Sequence, residues 1–213
     1  MNLAEELAQG ARRLGADITA EAQQKLLAYL ALIAKWNQVY NLTAVRETEK
    51  MLTHHLLDCL AVAPHLAAAR RILDVGSGAG LPGIPLALAL RQARVTLLDA
   101  NHKKAAFLSQ AAIELELPNV EVVCERAETW RAGQEFDVVI SRAFSGLPEF
   151  LKAAGRFCAA DGVVAAMKGV YPYEELASLP GGFAVREVIR LAVPGLEAER
   201  HLVLMQAARQ VVS

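Results

Sequence analysis

The sequence is poor in several features that would narrow its function at once. It has 213 residues and only three cysteines, and their wide spacing contains no Cys-x-x-Cys pair. This pattern argues against a zinc site and against a disulfide framework, since both need sets of cysteines at close, regular spacing. Cys59, Cys124 and Cys158 each have apolar neighbours, so we expect buried thiols that act as small hydrophobic groups. No metal site is predicted.

Long apolar segments are also missing. Charged residues interrupt every apolar run before it reaches the length of a membrane span. The first residues, MNLAEELAQGARRLG, carry early acidic groups and have no apolar stretch of the kind found in signal peptides. The sequence therefore predicts a soluble, cytoplasmic protein with no membrane partner, which we expect to be a monomer.

An excess of positive charge is likewise absent. Lysine and arginine together number 22, aspartate and glutamate 23, and the formal net charge is -1. Bulk charge therefore does not indicate binding to nucleic acid, although a local basic patch is compatible with this count. Hydrophobic residues make up 54% of the chain, enough to build the core of one compact domain of common size.

Two regions differ in their hydrophobic pattern. Residues 1–68 show helical periodicity, with Leu26, Leu30 and Ile33 on one helical face, and Asp17 or Thr19 could cap that helix. From residue 71, short runs rich in Val, Ile and Leu alternate with helical segments: RILDVG, RVTLLDA, VEVVCE, FDVVISRA and GVVAAMKG. Such alternation predicts an α/β fold whose parallel sheet is covered on both faces.

The last two apolar runs, FAVREVIRLAVP and RHLVLMQAAR, lie close together in the chain and predict an antiparallel addition at one sheet edge. Together these runs predict a mostly parallel sheet of seven strands. We accordingly divide the chain into an amino-terminal helical extension, 1–68, and an α/β core, 69–213, within a single compact unit.

A glycine-rich loop, DVGSGAGLPG, follows the first predicted strand. Its glycines are Gly76, Gly78 and Gly80, and ligands of such sheets bind at the carboxyl ends of the strands. Glycine permits positive φ and leaves no Cβ between backbone and ligand. The spacing departs from the G-x-G-x-x-G of dinucleotide-binding proteins. Asp74, just before the glycines, suits an ammonium group and disfavours a pyrophosphate, so the ligand has an amino-acid end.

The next two strand ends carry further polar residues. Asp99 ends the second strand, where a carboxylate can accept hydrogen bonds from two ribose hydroxyl groups. Ala127 and Glu128 follow the third strand and would lie beside an adenine. A nucleoside with an amino-acid tail is S-adenosylmethionine (SAM), so the sequence predicts SAM as the cofactor and S-adenosylhomocysteine as its product.

With these residues assigned, the chain resembles a known family, the bacterial 16S ribosomal RNA guanine-N7 methyltransferases of the G type, also called glucose-inhibited division protein B. The matching segments are WNQVYNLTAVRE, HHLLDCL, ILDVGSGAGLPGIPLA, TLLDANHKKAAFL, FDVVISRAF and MKGVYPYEEL. The resemblance implies a Rossmann-like class I SAM-dependent methyltransferase. It also implies methylation of N7 of a guanine, with 16S ribosomal RNA or the small ribosomal subunit as the partner.

The resemblance also assigns residues. It implies that SAM contacts Gly76, Leu81, Ala127, Glu128 and Arg142. Two positions depart from the usual family pattern, since Ala100 and Cys59 stand where the family commonly has serine. Both are small exchanges that leave the implied class unchanged.

Methylation at N7 requires little acid–base chemistry. Guanine N7 carries an exposed lone pair, so no proton has to leave before it attacks, and alignment can supply most of the acceleration. We therefore assign no general base, and we interpret His54, His55 and Asp58 as structural or RNA-contacting residues.

Three residues at the ends of the fourth and fifth strands are candidates for the substrate pocket. Arg142 could donate to guanine O6 or close over the cofactor, and the resemblance favours the cofactor role. Phe144 could stack on a flipped base or belong to the core. Lys168 could meet a phosphate or be a solvated lysine.

Basic residues before and beside the sheet are candidates for RNA docking. Arg46 is the strongest of them, since it lies in the family-like loop NLTAVRE. The other candidates are Arg12, Arg13, Lys25, Lys35, Lys50, Lys103 and Lys104. A scattered, solvated charged surface is the competing interpretation for most of these.

Two other functions remain open on the residues alone. A NAD-dependent oxidoreductase shares the fold class, but the glycine spacing disfavours it. A non-catalytic SAM-binding ribosome-assembly factor would share the cofactor site and lack methyl transfer.

Overall fold

The structure, a computed structural model, describes residues 2–142 and 144–208. Its helices are α1 Leu3–Arg13, α2 Ala20–Tyr40, α3 Thr48–Met51, α4 Asp58–Leu60, α5 Gly83–Ala89, α6 His102–Glu114, α7 Leu147–Ala154 and α8 Tyr173–Ala177. Its strands are β1 Arg71–Val75, β2 Arg94–Leu98, β3 Val120–Val123, β4 Phe136–Ser141, β5 Cys158–Lys168, β6 Phe183–Arg190 and β7 His201–Ala207. Within these residues, no helix is both long and apolar enough to cross a membrane.

The strands form one seven-stranded sheet in the order β3-β2-β1-β4-β5-β7-β6. Strands β1 to β5 pair in parallel, whereas β7 runs antiparallel to β5 and β6 antiparallel to β7. The predicted α/β fold, with its antiparallel carboxyl-terminal addition, is confirmed. The predicted strand segments also included Ala143 and Arg209, which lie outside the described residues.

The helices before the sheet begin and end at recognisable residues. Of the two proposed caps for α2, Thr19 is the one used, and its Oγ1 accepts a hydrogen bond from the Ala22 N–H at 3.2 Å. Asn41 ends α2 in the left-handed conformation, which asparagine tolerates better than most residues. The chain then turns into the NLTAVRE loop.

The second predicted helix of the amino-terminal region is not one regular helix. Between α3 and α4 the residues Leu52–Leu57 form a π-helical turn, and a short 3₁₀ turn follows at Ala63–Leu66. A period of 3.6 residues predicted the helix but could not reveal the local widening. Both His54 and His55 belong to this π turn.

The apolar core lies on both faces of the sheet. One cluster joins Leu26, Ile33 and other helical residues to Ile72 and Ile140, and the opposite face packs Leu73 and neighbouring strand residues against α7. Alternate residues of each strand thus belong to different clusters, as expected for a sheet buried on both faces. The first cluster contains residues from both sides of the proposed boundary at 68/69, and the division itself stays a prediction.

The cysteines only partly follow the expectation. Cys59 is fully buried, and burial raises the pKa of its thiol. Cys124 and Cys158 are only half-buried, so the prediction of buried thiols is wrong for these two. Cys124 follows the edge strand β3, and Cys158 is the first residue of β5.

Candidate functional site

The site lies where the strand order reverses. From β1 the chain adds β2 and β3 on one side and then β4 on the other, which creates a crevice at the carboxyl ends of β1 and β4. The Ser141 hydroxyl at the end of β4 donates to the Val75 carbonyl at the end of β1, at 2.8 Å. Gly76 and Arg142, the residues that follow, are therefore brought to the same edge.

The glycine-rich loop leaves its backbone bare on one side. Gly76, Gly78 and Gly80 have φ values of +69°, +59° and +86°. A Cβ on Gly76 would meet no described atom within 4 Å, and one on Gly78 would meet only the Gly76 carbonyl at 3.8 Å. A Cβ on Gly80 would instead lie 2.7 Å from the Ile84 side chain. The next residue, Leu81, is buried. Gly76 and Gly78 thus face open space, while Gly80 serves close packing.

Asp99 ties this loop to the end of β2. Its Oδ2 accepts a hydrogen bond from the Gly78 N–H, and its Oδ1 accepts one from the Asn101 N–H, both at 2.8 Å. The residue is 7% exposed. A carboxylate has about four lone-pair sites, so these contacts leave acceptor capacity for the hydroxyl groups of a ligand.

Asp74 lies beneath the loop. It is fully buried, its Oδ2 accepts a hydrogen bond from the Gly83 N–H at 2.9 Å, and its Oδ1 has no partner among the described residues. Burial raises the pKa of this carboxyl from its ordinary value of 3.8 to about 7, against the lowering effect of the Gly83 N–H. The sequence suggested a carboxylate open to a ligand, whereas the structure shows a buried one with a free acceptor atom.

The loop after β3 is held by an arginine that the sequence did not single out. Arg156 donates to the carbonyls of Ala127 at 2.6 Å, Glu128 at 3.1 Å and Trp130 at 2.8 Å. These bonds fix the two residues predicted to lie beside an adenine. The Glu128 side chain is exposed and Ala127 is half-buried.

A cavity of about 290 Å³ opens at the ends of β4 and β5. At its centre Asp58, whose side chain is 4% exposed, accepts from Arg200 Nε at 3.0 Å and lies 3.5 Å from Arg142 Nη1. Arg142 Nη1 also donates to the His54 carbonyl at 3.1 Å. A buried charge must be paired, and this carboxylate is paired with two guanidinium groups.

His55 lines the same cavity and is 4% exposed. Its Nε2 lies 2.9 Å from the Thr43 hydroxyl, while its Nδ1 has no partner among the described residues. Burial, reinforced by Arg142, lowers the pKa of the imidazole from 6.5 to about 4. The ring is therefore neutral at neutral pH.

The other two predicted pocket residues have structural partners. Phe144 packs against Phe150 with ring centroids 5.0 Å apart, which places it with the core. Lys168 lines the cavity and lies 2.7 Å from Glu175, and its Nζ donates to the Ser145 carbonyl at 3.3 Å. It is 13% exposed at its side chain, so a solvated lysine is the wrong description.

The predicted docking residues differ in how available they are. Arg46 is exposed, and its neighbour Val45 lines the cavity, so the NLTAVRE loop forms part of the cavity rim. Lys25 and Lys50 are paired with Glu21 at 3.0 Å and Glu47 at 2.8 Å. The remaining candidates are Arg12, Arg13, Lys35 and Lys103, which are exposed, and Lys104, which is half-buried.

Sequence reasoning missed four residues that shape the site: Gly83, Arg156, Glu175 and Arg200. Gly83 was visible as part of LPG, and a Cβ there would lie 2.7 Å from Asp74 Oδ2, so it must be bare. The three charged residues form hydrogen bonds with Glu128, Leu147 and Asp58, which lie 28, 28 and 142 positions away in the chain. No local pattern marks such contacts.

Asp74 makes a prediction about stability. A carboxyl whose pKa is raised on folding stabilises the fold below its unfolded pKa and loses that contribution as pH rises through its folded pKa. We expect Asp74→Asn, which can still accept from Gly83, to remove this loss between pH 3.8 and about 7. Urea unfolding of both proteins from pH 5 to 8 measures the difference.

The comparison between the two proteins isolates Asp74 from its neighbours. The lowered pKa of His55 acts in the opposite direction, adding stability as pH rises, but it is present in both proteins. Stability profiles that stay parallel across this range would show that Asp74 is ionised in the folded protein throughout.

Comparison with known proteins places the chain in a family. The family model described as "rRNA small subunit methyltransferase G" (GidB) matches residues 22–203. A protein of Chromobacterium violaceum named ribosomal RNA small subunit methyltransferase G is 56% identical over 200 residues, 94% of this chain and 96% of its own length. The protein of that name from Nitrosospira multiformis is 57% identical over 217 residues, 99% of this chain and 100% of its own.

Solved structures show the same fold at low sequence identity. TrmN from Thermus thermophilus has a TM-score of 0.55 at 22% identity, over 74% of this chain and 53% of its own. The O-methyltransferase TomG from Streptomyces achromogenes, solved in complex with SAM, has a TM-score of 0.57 at 19% identity, over 85% and 90%. The Rossmann-like class I methyltransferase fold predicted from the sequence is confirmed. The chain belongs to the rRNA small subunit methyltransferase G family, which confirms the family and the methyltransferase activity predicted from the sequence.

Proposed function

We propose that the protein transfers a methyl group from SAM to N7 of a guanine in the 16S ribosomal RNA of the small ribosomal subunit. Family membership supports the activity and the class of RNA, and the sequence resemblance supports the guanine and its N7 atom. One observation carries the proposal: the crevice at β1 places bare glycine backbone and Asp99 beside a cavity built around two arginines.

The cofactor side of the crevice fits SAM. Gly76 and Gly78 leave room against the backbone, Asp99 offers acceptors for ribose hydroxyls, and Asp74 Oδ1 is a buried acceptor without a partner among the described residues. Ala127 and Glu128, held by Arg156, would border the adenine. SAM supplies an electrophilic methyl group when it is bound.

The cavity fits the target base. A guanine presents O6 and N7 as acceptors on one edge, and guanidinium groups are the usual donors to that edge. Arg142 and Arg200 supply such groups, held in place by the carboxylate of Asp58. For Arg142 this is the other of the two roles that the sequence left open, since the resemblance assigns it to SAM. No residue has to take up a proton before N7 reacts. The neutral His55 is therefore not needed as a general base, and it can orient the guanine.

Docking of the remaining RNA would involve the exposed basic residues around the rim. Arg46 is the first of these, because its loop borders the cavity. Arg12, Arg13, Lys35 and Lys103 would add weaker phosphate contacts farther out. We further propose that the protein acts as a monomer in the cytoplasm, where its ribosomal substrate is found, with residues 1–68 as a helical extension of the methyltransferase core.

The decisive test uses tritiated SAM with small ribosomal subunits, and separately with deproteinised 16S RNA, from cells that lack this methylation. We expect tritium in the RNA, mapping to N7 of one guanine. Binding of SAM and of subunits without transfer would identify an assembly factor instead. Label on another atom or in protein would contradict the proposed substrate.

Asp99 is expected to be essential for cofactor binding. Asp99→Ala removes a charged acceptor from the ribose and releases the Gly78 N–H, and one lost charge-assisted hydrogen bond costs about 1.5–3 kcal/mol. We expect SAM affinity, measured by titration calorimetry, to fall about 10- to 100-fold. Asp161→Ala, an exposed aspartate on β5, is the control and should bind SAM normally. Equal affinities for the two variants would place the ribose elsewhere.

Arg46 is expected to contribute to RNA binding and not to SAM binding. Loss of one phosphate contact should weaken RNA binding and lower the slope of log affinity against log salt by about one unit. Arg46→Ala should therefore raise the KM for subunits and leave SAM affinity unchanged. Arg94→Ala is the matched control, because Arg94 is an exposed arginine at the amino end of β2, whereas the cavity lies at the carboxyl ends of the strands. Normal RNA affinity with lost SAM binding would instead make the Arg46 loop a lid over the cofactor.

A further inference from the structure

Exposed apolar side chains concentrate in one short segment after β5. In residues 2–142 and 144–208, seven large apolar side chains are exposed, and three of them belong to the four-residue segment 170–173. They are Val170, Tyr171 and Tyr173, with exposed fractions of 72%, 36% and 75%. We call these three residues the aromatic rim. Scattered exposed apolar residues need no explanation, whereas a contiguous group of them marks an interaction site.

The two tyrosines are ordered by ring contacts. Tyr171 packs against Tyr173 with centroids 4.3 Å apart, and the edge of His201 meets Tyr171 at 5.5 Å and 84°. The His201 Nδ1 also lies 2.8 Å from the Gly169 carbonyl, which anchors the start of the segment. Tyr173 is therefore held against Tyr171 and exposes most of its ring to solvent.

The aromatic rim adjoins the cavity proposed to take the guanine. Lys168 and Gly169, which line that cavity, directly precede Val170, and Arg200, which also lines it, directly precedes His201. The carboxylate of Glu175 is turned inward to Lys168 and the Leu147 N–H, away from the solvent side of the rim. The surface around the cavity mouth thus combines cationic groups with an open aromatic face.

We propose that the aromatic rim stacks on an unpaired nucleotide of the RNA that flanks the target guanine. This inference rests on the function proposed above and adds a recognition element to it. Proteins that bind single-stranded RNA stack its bases on exposed aromatic rings next to basic grooves. The exposed Glu174 beside Tyr173 disfavours a phosphate at that point, so the ring meets a base.

Substitutions of Tyr173 separate stacking from other contacts. Tyr173→Phe keeps the ring, Tyr173→Leu keeps only apolar surface, and Tyr173→Ala removes both. We expect the KM for unmethylated small subunits to rise about tenfold in the alanine and leucine variants and to stay near wild type in the phenylalanine variant. SAM affinity should be unchanged in all three. Ile113→Ala, at the far end of α6 with the same 72% exposure as Val170, is the control and should behave as wild type.

The possible outcomes test this inference separately from the methyl transfer proposed above. A wild-type protein that transfers no methyl group to RNA overturns the proposed function. An active wild-type protein with a normal KM in Tyr173→Ala overturns the aromatic rim alone. A defect in Tyr173→Ala that leucine restores assigns the surface to an apolar contact with a ribosomal protein, which also overturns base stacking.

Discussion

The hydrogen bond between the Gly78 N–H and the carboxylate of Asp99 is the contact on which the crevice depends. It joins the loop after β1 to the end of β2, and the second oxygen of Asp99 joins the same point to the start of α6. Asp74, in β1, accepts a hydrogen bond from the Gly83 N–H and so joins β1 to the start of α5. Charged acceptors make stronger hydrogen bonds to backbone N–H groups than neutral ones do. The hydrogen bonds to Asp99 and Asp74 therefore hold the glycine-rich loop at both of its ends.

The helices before the sheet are part of this arrangement. The Tyr29 hydroxyl on α2 donates to the Ala79 carbonyl within the glycine-rich loop, and Tyr29 itself is fully buried. From the other side, Asp58 on α4 bridges Arg142 after β4 and Arg200 before β7. Segments far apart in the chain thus meet at one edge of the sheet. A helical residue, Asp58, thus supplies the carboxylate that pairs with both arginines of the cavity.

The elements were predictable because their signals are local. Runs of Val, Ile and Leu separated by helical segments predicted the parallel strands, and Gly76, Gly78 and Asp99 followed from their places at strand ends. The π turn at Leu52–Leu57 was not predictable, since the widening of one helical turn depends on how the segment packs in the folded protein and not on its own periodicity. The role of Arg200 was hidden for a similar reason, because its partner Asp58 lies 142 positions earlier. Periodicity describes what a segment forms, whereas ion pairs depend on how segments assemble.

The positive charge at the site comes from a few neighbouring residues and not from the net charge of the chain. Arg142, Arg200 and Lys168 face the carboxylates of Asp58 and Glu175, which leaves one excess positive charge in a protein whose net charge is -1. A guanidinium carries five N–H donors, and the described contacts of Arg142 with protein use Nη1. The single carboxylate that pairs with both arginines leaves guanidinium N–H groups without a described partner, as the proposed guanine site requires. In the proposed function, recognition of the guanine by directed hydrogen bonds takes the place of long-range attraction, which a chain of this charge does not supply.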